Sequence, residues 1–345
     1  MDSIEDFESI QVLHQYQYGL LISKVMFTAS ELGVFDLLLE SGEPLSSGAI
    51  AERLGTSPSG MERLLEACVG LKFLRMERKE NRSLYGNSAL ADLYLAKSSL
   101  KSQYNFIKFL SEDMYPSAQY LTDAVRKGTE QLESIYGASS KNYFEVFYRS
   151  EESLYRFSKA MDDIWSLCGK EVMSAFDLSN FPLICDVGGA AGTLAKECIS
   201  LYPNSTAIVF DLPEVVESLK KDPVFSQESW MTFQTGDFFK DPVPEADLYI
   251  LARILHSWND EKCIQLLTKL HKACKPGGGV LVVELVLDED KCGPPEAHLH
   301  SMLMLLHSKG KERTSSEYQA LFTAAGFKEM QLKKGTLYDA LMGRK

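Results

Sequence analysis

The stretch that most constrains this chain runs from Phe181 to Asp211. It opens with an apolar strand pattern, Pro182-Leu183-Ile184-Cys185, and passes into Asp186-Val187-Gly188-Gly189-Ala190-Ala191-Gly192. Thr193 to Leu201 has helical periodicity, and a second apolar run, Ala207-Ile208-Val209-Phe210, ends in Asp211. Strand, glycine turn, helix, strand and terminal acid make one βαβ nucleotide-binding unit, with the acid about 20 residues past the glycines. Glycine has no Cβ, so the backbone can turn sharply there and approach a ligand closely. An acid at the end of the second strand can accept two hydrogen bonds from ribose hydroxyls. A glycine turn alone is a weak signal, and the following residues sharpen it.

A third candidate strand, Met231 to Gln234, leads into Gly236-Asp237-Phe238-Phe239. Asp237 offers an acceptor for the exocyclic amine of adenine, and Phe238 an aromatic face for its ring. Acids after strands two and three suit the adenosine of S-adenosylmethionine (SAM), which carries no phosphate. A dinucleotide enzyme would use its helix N-terminus for pyrophosphate instead. The chain's 345 residues give room for two domains and a large core. Its net charge of −12 weighs against nucleic acid and anionic membrane surfaces as partners, because both need a basic footprint. Seven cysteines, scattered and without a Cys-x-x-Cys pair, read as reduced thiols. Asp2, Glu5, Asp6 and Glu8 are unlike a signal peptide, and no apolar run approaches the roughly 20 residues of a membrane span. The expectation is a cytoplasmic protein that does not engage a membrane.

Upstream, Ile10 to Leu39 has a helical pattern with broad apolar faces, and Gly33 is placed to separate two helices. So much apolar surface calls for a cover, and a second copy of the chain is the natural one. Ser46-Ser47 reads as a cap before Ala49 to Leu54, Gly55 to Pro58 as a turn, and Gly60 to Leu71 as a second helix. Phe73 to Glu77 and Ser83 to Tyr85 then read as a hairpin around Asn81-Arg82. That is a winged helix in outline, and it serves either DNA recognition or dimerisation. The acidic balance favours dimerisation. From Ser98 to Phe176 the pattern is mainly helical, with Arg126-Lys127-Gly128 as a stop signal. Aromatics recur there, among them Tyr143, Phe144, Phe147, Tyr148, Phe157 and Trp165, as core or as the wall of a cleft.

Beyond Phe181, strand and helix alternate. Asp247 to Leu251 is a strand, Glu261 to Cys274 a helix stopped by Lys275-Pro276-Gly277-Gly278-Gly279, and Val280 to Glu284 the next strand. Glu317 to Ala325 is a helix closed by Gly326, and Lys328 to Lys334 and Leu337 to Met342 are two late strands. The expected fold is α/β: a mostly parallel, Rossmann-like sheet with a terminal antiparallel pair. An N-terminal all-α, winged-helix-like dimerisation domain precedes it, with domains over 1–105 and 106–345. His256 follows the strand Tyr249 to Leu251, at the edge where open α/β sheets bind ligands. Glu284 ends the adjacent strand. Glu312 sits in Lys309-Gly310-Lys311-Glu312-Arg313, which reads as readily as a solvated charge run. Two carboxylates beside a histidine would fix its tautomer and raise its basicity. No His/Asp/Glu cluster with ligand spacing points to a metal.

Asp186 to Gly192, Gly236 to Phe239, Leu255-His256-x-Trp258, Lys275 to Gly279 and Gly310-Lys311-Glu312-Arg313-Thr314 together resemble the metal-independent small-molecule O-methyltransferases. The likeness runs nearly end to end and is strongest with the vertebrate branch that methylates an indole. It implies a SAM-dependent homodimer swapped through the N-terminal domain, and a small phenol as acceptor. It also implies roles by position. Gly188 would hold the methionine end, Asp211 the ribose, and Gly236, Asp237 and Phe238 the adenine. Arg253 would lie beside that ring, and Tyr148 and Trp165 fall at cofactor-pocket positions. His256 would be the general base, oriented by Glu284 and Glu312. Three acceptor positions depart from the pattern: Ser257 replaces aspartate, Leu303 asparagine and His307 glutamine. Ala190 replaces a glycine, which would weaken cofactor binding if the backbone there needs positive φ. The resemblance with these departures implies a working methyltransferase with an altered acceptor. Two other classes fit parts of the pattern: a non-catalytic dimeric binding protein, and a winged-helix DNA regulator.

Overall fold

A computed structural model describes residues 4–80, 82–137, 144, 146, 148, 150–221 and 229–345. Asn81, Tyr143 and Phe147 lie outside them. The chain divides into two compact units, Met1–Tyr115 and Pro116–Lys345.

In the first unit, the helices Ile4–Glu31 and Val34–Ser41 are parted at Gly33, whose φ of 79° places it in the left-handed region. Ser46 caps Ser47–Leu54 by accepting from the Ala49 N–H, and Ser57 caps Pro58–Gly70 by accepting from the Gly60 N–H. Strands β1 (Leu45–Ser46), β2 (Leu74–Lys79) and β3 (Arg82–Asn87) form an antiparallel sheet in the order β1-β3-β2. Phe35, Leu38, Ile50, Leu65 and Tyr85 fill one core beneath it. The winged-helix outline is therefore real. On the long helix, Leu13, Tyr16, Leu20 and Leu21 are each more than half exposed.

The second unit is a seven-stranded sheet. Its strands are β4 (Leu183–Val187), β5 (Thr206–Asp211), β6 (Met231–Thr235), β7 (Ala246–Ala252), β8 (Cys274–Glu284), β11 (Lys328–Lys333) and β12 (Asp339–Arg344). The order is β11-β12-β8-β7-β4-β5-β6, with β12 antiparallel to both neighbours and the rest of the sheet parallel. A short parallel pair, β9 (Val286–Leu287) and β10 (Arg313–Thr314), stands apart from it. Cys185 and Val187 of β4 and Tyr249 and Leu251 of β7 face a core shared with the helices Asp260–Ala273 and Ser315–Ala325. The alternate residues Ile184, Leu248 and Ile250 are equally buried. Both faces of the sheet are covered, so these strands read as unbroken apolar runs.

The helix expected to stop in the turn 275–279 ends at Ala273 instead, and Cys274–Gly279 already belongs to β8, with a register irregularity opposite Ala246–Leu248. Glycines that could have made a turn here form a bulge. Strand order reverses at β4, which lies between β5 and β7. The crevice at the carboxyl ends of β4 and β7 is where such sheets bind ligands.

Candidate active site

The loops after β4, β5 and β6 form one half of that crevice. Gly188 has φ 71°, donates its N–H to the Phe210 carbonyl at 2.8 Å, and leaves no room for a side chain: a Cβ would stand 2.6 Å from Ile254 Cδ1. Asp211 ends β5 buried, its Oδ2 accepting the Ala190 N–H at 2.9 Å and its Oδ1 the Leu212 N–H at 2.7 Å. Burial raises its pKa to about 6 against the pull of those two N–H groups. Asp186 is pushed to about 7 by burial and by the charge of Asp211, and its buried Oδ2 has no hydrogen-bond partner among the described residues. Ala190 stands at φ 46°. The backbone does need the left-handed conformation there, and alanine adopts it at a cost of about 1–2 kcal/mol. Tyr148 packs with Ala190, Ala191 and Leu212 around Leu154, Val215 and Leu219.

Gly236 ties the third loop to the second by donating to the Asp211 carbonyl at 2.9 Å. Asp237 Oδ1 accepts the Phe239 N–H at 2.8 Å and Oδ2 pairs with Lys240 at 2.8 Å. Partial burial would raise its pKa, but the Lys240 contact outweighs this and lowers it. Phe238 approaches Gly188 and meets Phe239 edge-on at 4.8 Å. Arg253, itself at φ 56°, donates to the Tyr338 hydroxyl at 2.7 Å, and Trp165 contacts the same tyrosine ring at 5.5 Å. Tyr338, which sequence reasoning passed over, thus joins two of the expected pocket residues.

His256 lies buried in the short turn Leu255–Ser257 after β7. Its Nδ1 is 2.8 Å from Glu312 Oε1 and 3.8 Å from Glu284 Oε2. Glu284 Oε1 accepts the backbone N–H of Leu255 at 2.9 Å and of His256 at 3.2 Å. The two acids therefore divide the work: Glu284 holds the loop and Glu312 holds the ring. Donation from Nδ1–H to Glu312 leaves the lone pair on Nε2. Burial raises the Glu284 carboxyl to about 7, opposed by His256 and reinforced by the charge of Glu312. One donor atom from each of the three lies within 4.8 Å of the others, a spacing a metal could use that the sequence did not reveal. The hydrogen bonds engage His256 Nδ1, Glu312 Oε1 and Glu284 Oε1, and the second oxygen of each acid is buried with no hydrogen-bond partner among the described residues.

Glu312 and Arg313 are buried, so the alternative of a solvated charge run is overturned for both. Only Lys309 and Lys311 of that stretch face solvent. Gly310 lets the segment cross the base loop: a Cβ there would stand 1.8 Å from the His256 carbonyl oxygen. Arg313 donates to the carbonyls of Leu255 at 3.1 Å and Trp258 at 2.8 Å and to Asp260 at 2.7 Å, fixing both ends of the loop that carries His256. Thr314 opens the next helix with a capping box to Glu317. The motif Gly310 to Thr314 is therefore a clamp. Sequence reasoning gave Arg313 no part in it, since a single sequence cannot separate one buried charge from its exposed neighbours.

Of the positions expected to meet the acceptor, Ser257 is buried next to His256. Leu303 and His307 lie one turn apart on the helix Pro295–His307, and His307 Nδ1 is 3.0 Å from the Leu303 carbonyl.

A sheet of this order, with acids after β5 and β6 and a buried, carboxylate-held histidine after β7, defines a small-molecule methyltransferase. Residues 118–328 match the O-methyltransferase domain, and residues 14–97 the O-methyltransferase dimerisation domain. The chain belongs to the O-methyltransferase family. It is 54% identical to acetylserotonin O-methyltransferase of Gallus gallus and 46% identical to that of Homo sapiens, with 100% of each chain covered. Among solved structures, human N-acetylserotonin methyltransferase in complex with SAM matches with a TM-score of 0.95 at 47% identity, over 100% of this chain and 99% of that one.

Proposed function

We propose that this enzyme moves the methyl group of SAM to the phenolic hydroxyl of a small, indole-like acceptor, with His256 as general base. The buried His256–Glu312 hydrogen bond carries this reading, because it turns an imidazole into a base of fixed tautomer at the ligand edge of the sheet. The cofactor half fits SAM. Asp211 receives one N–H on each oxygen and keeps lone pairs for ribose hydroxyls, and the unpartnered Asp186 Oδ2 suits a cationic amino-acid end. Gly188 would face the methionine end, Gly236, Asp237 and Phe238 the adenine with Arg253 beside it, and Tyr148 and Trp165 the pocket walls. To engage an adenine amine, Asp237 would share or release Lys240.

A phenol of pKa about 10 is roughly a thousandth ionised at pH 7. His256 Nε2 takes its proton as the oxygen attacks, and Glu312 stabilises the imidazolium that forms. SAM, when bound, supplies an electrophilic sulfonium methyl. The protein adds alignment, and the clamp of Gly310 and Arg313 holds the base in place for it. The reaction needs no metal. The dimerisation domain and the exposed apolar stripe of Leu13, Tyr16, Leu20 and Leu21 support a homodimer through the N-terminal unit. Among the described residues, no helix is long and apolar enough to cross a membrane.

Identity to the acetylserotonin enzymes favours N-acetylserotonin as acceptor, while Ser257, Leu303 and His307 favour another phenol. A site left with an unmatched polar group discriminates by about 1–3 kcal/mol, and Leu303 offers no hydrogen bond where asparagine would. We therefore assign an altered acceptor. The test is calorimetric titration with SAM followed by steady-state kinetics on a phenol panel. Wild type should methylate N-acetylserotonin poorly and another phenol better, and the triple change S257D/L303N/H307Q should raise N-acetylserotonin turnover at least tenfold. Efficient wild-type turnover of N-acetylserotonin with no gain in the triple variant would end the altered-acceptor reading. SAM binding without methyl transfer to any phenol would leave a binding protein.

A further inference from the structure

The helix Pro295–His307 presents positions 300, 303 and 307 along one face, by the three- and four-residue spacing of helical neighbours. His300 has so far no role. Ser301 Oγ accepts the Glu312 N–H at 3.4 Å, which ties this helix to the segment holding the base. His300 Nδ1 is buried and has no hydrogen-bond partner among the described residues. Among the described residues its Nε2 has no hydrogen-bond partner either, yet it is not enclosed. Burial, then the charges of Arg253 and His256, pushes the ring's pKa down to about 3, so it is neutral wherever the enzyme works. A neutral imidazole has one N–H and one lone pair. Enclosing an unpaired N–H is worse tolerated than enclosing an under-used acceptor. The lone pair therefore lies at Nδ1, and Nε2 carries the proton towards open space.

We propose that His300 is a specificity-determining residue of the acceptor site, donating from Nε2–H to a second oxygen of the acceptor, a carbonyl or ether away from the reacting hydroxyl. This rests on the methyl-transfer reading above. Leu303, one turn along the helix, can make no such bond, so recognition of the distal oxygen passes to position 300. The substrate class is then a phenol with an oxygen-bearing arm.

Two matched pairs of phenols test it: N-acetylserotonin against 3-ethyl-5-hydroxyindole, and 4-(2-methoxyethyl)phenol against 4-butylphenol. Within a pair the reacting ring is the same, and only the first member carries the distal oxygen. Wild type should prefer the oxygen-bearing member of at least one pair about tenfold in kcat/KM, mostly through KM. His300→Leu should abolish that preference, and His300→Gln, which keeps an N–H donor, should retain part of it. SAM titration of each variant reports whether the fold survives. No preference in either pair for wild type, a preference that survives in His300→Leu, or an equal loss on both members would each overturn the assignment. If wild type methylates no phenol at all, the methyl-transfer reading has failed first.

Discussion

The two halves of the crevice are held in different ways. On the base side, after β7 and β8, the protein itself holds the loop: Glu312 bonds the ring, Glu284 the loop's N–H groups, and Arg313 its carbonyls, while the second oxygens of Glu284 and Glu312 are buried with no hydrogen-bond partner among the described residues. On the cofactor side, after β4 to β6, Asp186 has an oxygen without a partner, Asp211 is buried with a raised pKa, and Ala190 is held at positive φ. The base half positions its histidine through bonds within the protein. The other stores unfavourable terms that a ribose and an amino-acid end can relieve. Catalysis and cofactor binding should therefore fail separately when each half is cut.

The sharpest separation comes from the base. His256→Ala should cut turnover on a phenol by about 10²–10⁴, the usual general-base contribution, while SAM binding measured by calorimetry stays nearly intact. The Arg313 and Glu284 bonds to the loop go to its backbone, so the loop survives loss of the ring. Wild-type turnover in this variant would remove the histidine from the mechanism.

Cutting the other half should reverse the pattern. Asp211→Ala should weaken SAM binding by roughly 1.5–3 kcal/mol, the range for hydrogen bonds to a charged group. In the wild type, ribose hydroxyls favour the ionised carboxylate, so affinity should fall as pH drops through about 6 and Asp211 takes up a proton. Calorimetry across pH 5 to 8 checks both, and a flat profile with an unaffected variant would place the ribose elsewhere.

The halves also differ in how legible they were. The cofactor half is local: a glycine turn between two strands, with an acid closing each of β5 and β6, can be read from periodicity alone, and every element fell where it was expected. The base half is assembled from residues far apart in sequence, with Glu284 and Glu312 standing 28 and 56 positions from His256. Resemblance named those acids, but no spacing rule could show that Glu284 bonds the loop while Glu312 bonds the ring. Arg313 was hidden among exposed lysines, Tyr338 lay in a late stretch read only as strand, and His300 in a stretch to which the sequence reading gave no element. Tertiary surroundings decide all three, and the enclosure of a polar group cannot be read from local sequence.

A finer cut separates the two acids. Glu284 titrates near 7, so as pH rises it loses a proton and adds a negative charge 3.8 Å from Nδ1. That charge stabilises the imidazolium, so it makes Nε2 a stronger base. Ionisation of Glu284 therefore pushes the rate up with pH. Glu284→Gln can keep an oxygen on the two backbone N–H groups but cannot ionise. It should lower kcat by about tenfold at pH 8, within the range for groups that support a catalytic residue, and much less at pH 6. A uniform loss at both pH values would mean that Glu284 only holds the loop.

The smallest effect probes the strain in the cofactor half. Ala190 sits at φ 46°, a conformation that costs an alanine about 1–2 kcal/mol and a glycine almost nothing. Part of that cost is offset, because its methyl packs against the cluster of Leu154, Val215 and Leu219 and because glycine loses more chain entropy on folding. The net gain from Ala190→Gly should therefore be under about 1 kcal/mol. It should appear in SAM affinity, since the Ala190 N–H is the group that orients Asp211 Oδ2. Calorimetry should show tighter binding by a few-fold, with kcat on a phenol unmoved because the base half does not contact this turn's strain. Weaker binding in the glycine variant would mean that packing of the methyl outweighs the backbone cost, and that the turn is not the strained half of the comparison.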